Sequence, residues 1–193
     1  MNGFELRREK KMEDIIKAAG ELFLVKGYKA VGVSEIAKKA NVSQVSIYNF
    51  FGNKENLAKQ VLFNIMDSTM KELEPIINYD ISFPDKIEKF FAVTVESSNR
   101  IDENFYQSEF LKDAAVQKFL GEYKKKAEPL LLNLIEQGQN EGYLDNSISN
   151  ESILLYIDSI NAVLQTDINK KIRSDLGKLF YYGLLGKKQP SGK

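Results

Sequence analysis

The sequence predicts an all-α protein, and three observations carry that prediction. Apolar residues recur at i, i+3, i+4 and i+7 along nearly the whole chain, the spacing of one face of a 3.6-residue helix. No useful stretch alternates apolar and polar residues as a half-buried strand does, and no repeat or low-complexity segment interrupts the pattern. Gly27, Asn41, Pro75, Pro84 and Gly142 stand at the ends of periodic segments, where helices start and stop. About nine helices are expected: an N-terminal three-helix head containing a helix-turn-helix, then an antiparallel helical bundle.

The first helix spans residues 5–26, with Met12, Ile15, Ile16, Ala19, Leu22 and Phe23 as its apolar stripe and Gly27 as its stop. Arg7, Arg8, Lys10 and Lys11 crowd its start. Each alone reads equally well as a solvated charge; as a cluster they suit DNA phosphates, which position a protein without reading sequence.

Two short helices follow. Val33, Ile36, Ala37 and Ala40 share one face, and Ile47, Phe50 and Phe51 share another. Between them Asn41 tolerates the positive φ of a sharp turn, and Ser43 is placed to cap the second helix. With Ile47, Phe50 and Phe51 inward, Val45 and Asn49 point outward, Ser46 and Tyr48 flank them, and Gln44 opens the helix. That outer face carries no charge, whereas a solvated face favours Lys and Glu. Amide, hydroxyl and small apolar groups suit major-groove base edges, with Asn and Gln pairing to adenine and Val touching a thymine methyl.

Ile36-Ala37, Ala40-Asn41-Val42-Ser43, Ile47-Tyr48-Asn49-Phe50-Phe51, Asn53-Lys54-Glu55 and Leu57, with the upstream Leu22-Phe23 and Gly27-Tyr28, resemble the signature of the TetR family of transcriptional regulators. The likeness covers roughly the first third of the chain, where residue types and spacing agree together. Two positions depart from it. Gly32 stands where the family usually has a capping Ser or Thr, and Asn41 replaces a usual Gly. The resemblance implies DNA binding by Gln44, Val45, Ser46, Tyr48, Asn49, Lys54, Ser34, Arg7, Arg8 and Lys11, with Lys54 on a phosphate. It also implies a homodimer on a double-stranded operator, released by a small-molecule effector of unknown identity.

The next helix opens at Asn53 and runs from Lys54 toward Glu74, where Pro75 ends it; Leu57, Val61, Leu62, Ile65 and Met66 form its apolar face. Pro84 suits the first turn of a helix carrying Ile87, Phe90, Phe91, Thr94 and Val95, and Asp102 caps a segment with Phe105, Tyr106, Phe110 and Leu111. A long helix then spans about 113–141, with Leu120, Tyr123, Ala127, Leu130, Leu131, Leu134 and Ile135 as its stripe, a kink at Pro129 and a stop at Gly142. The last two helices, 150–166 and 170–185, are the most apolar. Ile153, Ile157, Ile160, Leu164, Ile172, Leu176, Leu179 and Phe180 offer more apolar face than one edge of a domain leaves wet. Half of it belongs to the chain's own core; the excess suggests a two-fold four-helix interface.

Met66, Met70, Phe91, Phe105, Tyr106, Phe110, Tyr123 and Tyr156, with Asn161, form a candidate effector-binding group in the middle of the chain, although stripes at helical spacing are more often core. Gln107, Glu109 and Gln165 are further polar candidates. The expected domains are 1–52 for DNA binding, 53–186 for effector binding and dimerisation, and a disordered tail at 187–193.

Charge and composition limit the alternatives. The 193 residues carry 27 basic and 27 acidic side chains, yet residues 1–60 hold eleven Lys and Arg against seven Asp and Glu, so the basic excess lies on the motif. With no Cys there is no cysteine nucleophile or thiolate metal site, with no His the commonest general base and metal ligand are missing, and neither an enzyme nor a cofactor is expected. No apolar run approaches the ~18 residues of a membrane span, so a cytoplasmic protein without membrane partners is expected. The remaining alternative is a helical small-molecule- or partner-binding protein of the same fold that does not read DNA.

Overall fold

The computed structural model describes residues 3–101, 112–164, 166 and 168–185. Its described residues form eight α-helices and one 3-10 helix, with no strand among them: α1 Gly3–Lys26, α2 Val33–Lys39, α3 Gln44–Phe51, α4 Lys54–Leu73, the 3-10 helix Glu74–Asn78, α5 Phe83–Asn99, α6 Ala114–Asn140, α7 Asn150–Leu164 and α8 Lys170–Leu185. They divide into two compact units, one within Met1–Ser68 and Ser97–Phe119, the other within Thr69–Glu96 and Leu120–Lys193. The helices α4, α5 and α6 contribute residues to both. The segment expected at 102–111 and the tail lie outside the described residues.

In the first unit, α1 buries Ile15, Ala18, Ala19, Leu22 and Phe23. Gly27, at φ 80°, ends the helix, its N–H donating to the Phe23 carbonyl at 2.8 Å. Ile15, Val31, Ile36, Ile47 and Leu57 are all at most 1% exposed. Each such burial contributes roughly 1.5–3 kcal/mol of transfer free energy, which sets the three head helices at fixed angles. Farther along, the Lys59 ammonium bonds Asp113 Oδ2 at 2.9 Å and Glu55 Oε1 at 3.2 Å. Phe63 stacks on Phe119 with ring centroids 3.9 Å apart, so α4 and the start of α6 share an ionic and an aromatic contact.

In the second unit, Phe83, Ile87, Leu134, Ile135, Leu144 and Ile153 form the core, with Phe90, Tyr143, Leu154 and Ile157 against it. Close approach at two glycines makes this packing possible. A Cβ at Gly138 would meet the Phe83 ring at 2.3 Å, and one at Gly177 would meet Phe91 at 2.2 Å. The Lys86 ammonium is held by the Ile77 carbonyl at 3.0 Å and by Gln137 Oε1 at 2.8 Å, which fastens the 3-10 helix to α5 and α6. Pro129 lies inside α6, and Gly142, at φ 75°, follows its end as expected.

One expected interface residue is corrected here. Ile153 is 6% exposed inside the core, because the helical phase of α7 that seats it against Leu134 and Ile135 turns Leu155 outward instead. Ile157 packs partly on the same core. Among the described side chains of α7 and α8, the large apolar groups exposed are Leu155, Tyr156, Val163, Ile172 and Leu179, at 67%, 41%, 43%, 44% and 66%. Ile160, Leu176 and Phe180 are half-buried. The side chain of Leu164 lies outside the described ones.

Candidate nucleic-acid interface

The turn between α2 and α3 is built as its sequence requires. Asn41 adopts φ 53°, and the Val42 N–H donates to the Ala37 carbonyl at 3.0 Å, which closes the turn. Ser43 Oγ accepts the Ser46 N–H at 3.1 Å and so caps α3. Gly32 occupies the cap of α2 with extended backbone and no side-chain bond, so that helix start lacks the usual hydroxyl. Two ion pairs, Lys26 with Glu35 and Lys39 with Glu21, brace α1 against α2; the Lys39 pair holds the Glu21 carboxyl below its ordinary value, chiefly through the hydrogen bond between them.

On α3 the inward and outward faces separate cleanly. Ile47 and Phe51 are buried, whereas Gln44, Val45, Tyr48 and Asn49 are exposed, Val45 at 65%. Phe50, expected inside, is only half-buried, with the Arg8 guanidinium 5.7 Å from its ring centroid. Ser46 is half-buried, and its hydroxyl lies 2.9 Å from Ser43 Oγ, so part of its hydrogen-bonding capacity is spent inside the cap. Ser34 is exposed in the first turn of α2, and Arg7, Arg8 and Lys11 are exposed along the start of α1.

Lys54 differs from the rest of the expected set. It is half-buried, its Nζ donates to the Tyr28 carbonyl at 2.6 Å, and the same ammonium sits 4.4 Å from the Tyr28 ring centroid. Burial pushes its pKa below the ordinary lysine value. Tyr28 is an addition to the expected site: its place after Gly27 marks a turn, and nothing in the periodicity tells which helix its ring will meet. Burial raises the Tyr28 hydroxyl pKa above the ordinary value, with a smaller push from Glu55.

The candidate effector residues are scattered. Met66, Met70, Phe91 and Tyr123 are half-buried. The Phe91 ring fills the space over Gly177, and Tyr156 is an exposed residue stacked on Phe180 at 5.5 Å, on the apolar surface of α7 and α8. Phe105, Tyr106, Gln107, Glu109, Phe110 and Gln165 lie outside the described residues, as does the side chain of Asn161. A small cleft of ≈ 10 Å³ lies between α1, α4 and the end of α5, lined by Gly20, Phe23, Val61, Leu62, Ile65, Arg100 and Ile101. It is room for about one water.

Residues 15–61, the stretch that builds this capped turn and its uncharged outer face, match the family model for bacterial regulatory proteins of the tetR family. The chain thus carries the DNA-binding domain of the tetR family over these residues and is similar to its regulators in sequence and fold. It is therefore a DNA-binding transcriptional regulator and not an enzyme. The chain is 24% identical to the regulator YhgD of Bacillus subtilis over 131 residues, covering 66% of this chain and 69% of that one. It is 20% identical to the repressor KstR2 of Mycobacterium tuberculosis over 148 residues, covering 75% and 74%. Among solved structures, a TetR/AcrR-family regulator from Thermobifida fusca superposes with a TM-score of 0.68 at 16% identity, covering 90% of this chain and 98% of the other. The fatty acid degradation regulator FadR of Bacillus halodurans gives 0.61 at 19%, covering 90% and 96%. At these identities the structural likeness establishes the fold. No helix of the described residues is long and apolar enough to cross a membrane.

Proposed function

We propose that this TetR-family regulator is a homodimeric repressor that binds a palindromic operator and is released by a small molecule. The observation that carries the reading is the outer face of α3, where Gln44, Val45, Tyr48 and Asn49 are exposed and uncharged on a helix otherwise packed into the head. Gln44, Val45 and Asn49, with Ser46 beside them, read base edges; Tyr48, Ser34, Arg7, Arg8 and Lys11 hold the backbone. Two recognition helices related by a two-fold axis meet half-sites one turn of DNA apart or somewhat more, hence the palindrome. The exposed Leu155, Tyr156, Val163, Ile172 and Leu179 support the dimer, since apolar surface of this kind is hidden by association.

A ligand changes operator affinity only by preferring one of two arrangements of the dimer, and a coupling of about 1–3 kcal/mol loosens binding roughly 5- to 150-fold. The helix α4, which runs unbroken from Lys54 to Leu73, is the element suited to transmit that preference. Relatives named for fatty acid degradation and for ketosteroids support screening apolar small molecules first. The operator is tested by selecting binding sites from a random-sequence DNA pool. An A·T-leaning palindrome is expected from amide and methyl contacts; G·C-rich half-sites, or a single unpaired half-site, overturn the reading. Loss of DNA retention even at low salt would favour a ligand- or partner-binding protein that does not read DNA.

A further inference from the structure

One cation of the head is held over a ring of the recognition helix itself: the Arg8 guanidinium stands 5.7 Å from the Phe50 ring centroid. Burial does not place it there. Residues 3–11 of α1 are all exposed, and no carboxylate pairs with Arg8 among the described residues. Phe50, by contrast, is fixed. It is the penultimate residue of α3, half-buried, and its ring meets that of the buried Phe51 edge-on, with centroids 6.3 Å apart at 74°. The negative face of an aromatic ring attracts a guanidinium, and a guanidinium so held still has N–H donors to give. Contacts therefore run from core to solvent, Phe51 to Phe50 to Arg8, and end on hydrogen-bond donors one residue beyond Asn49.

We propose that Phe50 is a positioning residue for DNA binding: it carries Arg8 at the end of the recognition helix, so that the guanidinium meets a backbone phosphate beside the bases that α3 reads. This rests on the proposed role of Arg8 as a backbone contact. Its physical basis is pre-organisation. Arg7 and Lys11 are exposed on the same helix with no ring contact among the described residues, and each gives up its rotamer freedom when it meets a phosphate. Arg8 has surrendered part of that freedom in the free protein. Because Phe50 belongs to α3, the ring also ties the phosphate contact to the seating of the helix. A head with Val45 and Asn49 on base edges brings Arg8 to the backbone in one place. Phe50 has no hydrogen-bonding side-chain group of its own, so the polar contact there is Arg8's.

Phe50→Leu, Arg8→Met and the double variant of the full chain test this. Without DNA, the Arg8 side-chain protons should show a ring-current shift by NMR that disappears in Phe50→Leu. Protons that stay where they were overturn the proposal. Affinity is then measured at several salt concentrations for the pool-selected duplex and for an unrelated one, since a phosphate contact exists on both. Arg8→Met should lower the log–log salt slope by about 0.9 per protomer, and an unchanged slope overturns the proposal. Phe50→Leu should weaken binding roughly 2- to 5-fold per protomer with the slope unchanged, and should cost nothing further in the Arg8→Met background. Equal losses from Phe50→Leu in both backgrounds overturn the proposal, because the ring then supports α3 and not Arg8. No loss in either background overturns it as well. The operator reading fails separately: a selection that returns no palindrome leaves the coupling on the unrelated duplex intact, and a palindrome without coupling sinks the role of Phe50 alone.

Discussion

The outer face of α3 and the outer faces of α7 and α8 leave different chemistry in water. The recognition helix exposes amide and phenol groups around one Val, a surface that water solvates well and that base edges can replace bond for bond. The last two helices expose Leu155, Val163, Ile172 and Leu179 with the stacked pair Tyr156 and Phe180, a surface that water solvates poorly. On the proposed reading, one chain separates specificity from assembly in this way. Polar groups discriminate among partners because an unmatched hydrogen bond is costly, while apolar groups drive association with little regard for what lies opposite.

The largest effect should come from breaking the apolar side of that comparison. Replacing Leu155 and Leu179 together by Glu places two charges in the proposed interface, and sedimentation should then report monomers with unchanged helix content. Operator affinity should fall by about 10²- to 10⁴-fold as the second half-site is lost. A double variant that stays dimeric excludes this surface as the interface.

Within α7 the comparison sharpens to two positions. Ile153 lies in the core and Leu155, two residues on, is 67% exposed. Added to the monomeric double variant, Ile153→Ala should cost about 2–5 kcal/mol of unfolding free energy. By contrast, pairing Leu179→Glu with Leu155→Ala instead of Leu155→Glu should change that free energy by only about 0.5 kcal/mol or less. Equal effects would mean that α7 sits in a different rotational phase.

On the polar side, Asn49→Ala should weaken operator binding by about 1–3 kcal/mol and barely alter binding to random DNA, as measured by competition with an unrelated duplex. Equal losses on both would make Asn49 a backbone contact and leave Gln44 and Val45 to carry specificity.

How legible these features are in the sequence differs by region, for physical reasons. The head is local: Asn41, Ser43, Gly27 and Asn53 act on backbone within a few residues, so their turn and caps can be read directly, as can the outward aim of Val45 and Asn49. Features that depend on long-range packing are not legible. Lys54 reads as a phosphate contact through the resemblance and as a surface charge without it, because nothing near it in sequence reveals its bond to the Tyr28 carbonyl. Lys86 gives no signal because its partners at Ile77 and Gln137 are 9 and 51 residues away. Ile153 is placed at the interface because apolar spacing alone does not tell a face packed on the chain's own core from one packed on a second copy; Glu151, Ser152, Asp158 and Ser159 do mark the side on which Leu155 lies.

The smallest effect concerns charges that the first unit turns inward, in contrast to the neutral face of α3. Asp113 caps α6, accepting the Ala115 N–H at 2.9 Å, and binds Lys59, whose side chain is 11% exposed. The Lys59 hydrogen bond first, and the Ala115 N–H next, hold the Asp113 carboxyl below its ordinary pKa, while Asp113 and Glu55 raise that of Lys59. A depressed carboxylate contributes stability above its unfolded pKa and loses it as the pH falls through the folded one; a raised lysine contributes below its unfolded pKa and loses it as the pH rises through the folded one. Stability from this pair should therefore be flat across neutral pH and decline on both flanks, from the ordinary carboxylate range downward and from the ordinary lysine range upward. Asp113→Asn should flatten the acid flank in urea titrations and reduce the alkaline one, since Glu55 remains on Lys59. Lys59→Met should remove both. If Asp113→Asn leaves the acid flank as steep as before, that slope belongs to other carboxylates, and the link between α4 and α6 rests on Phe63 and Phe119.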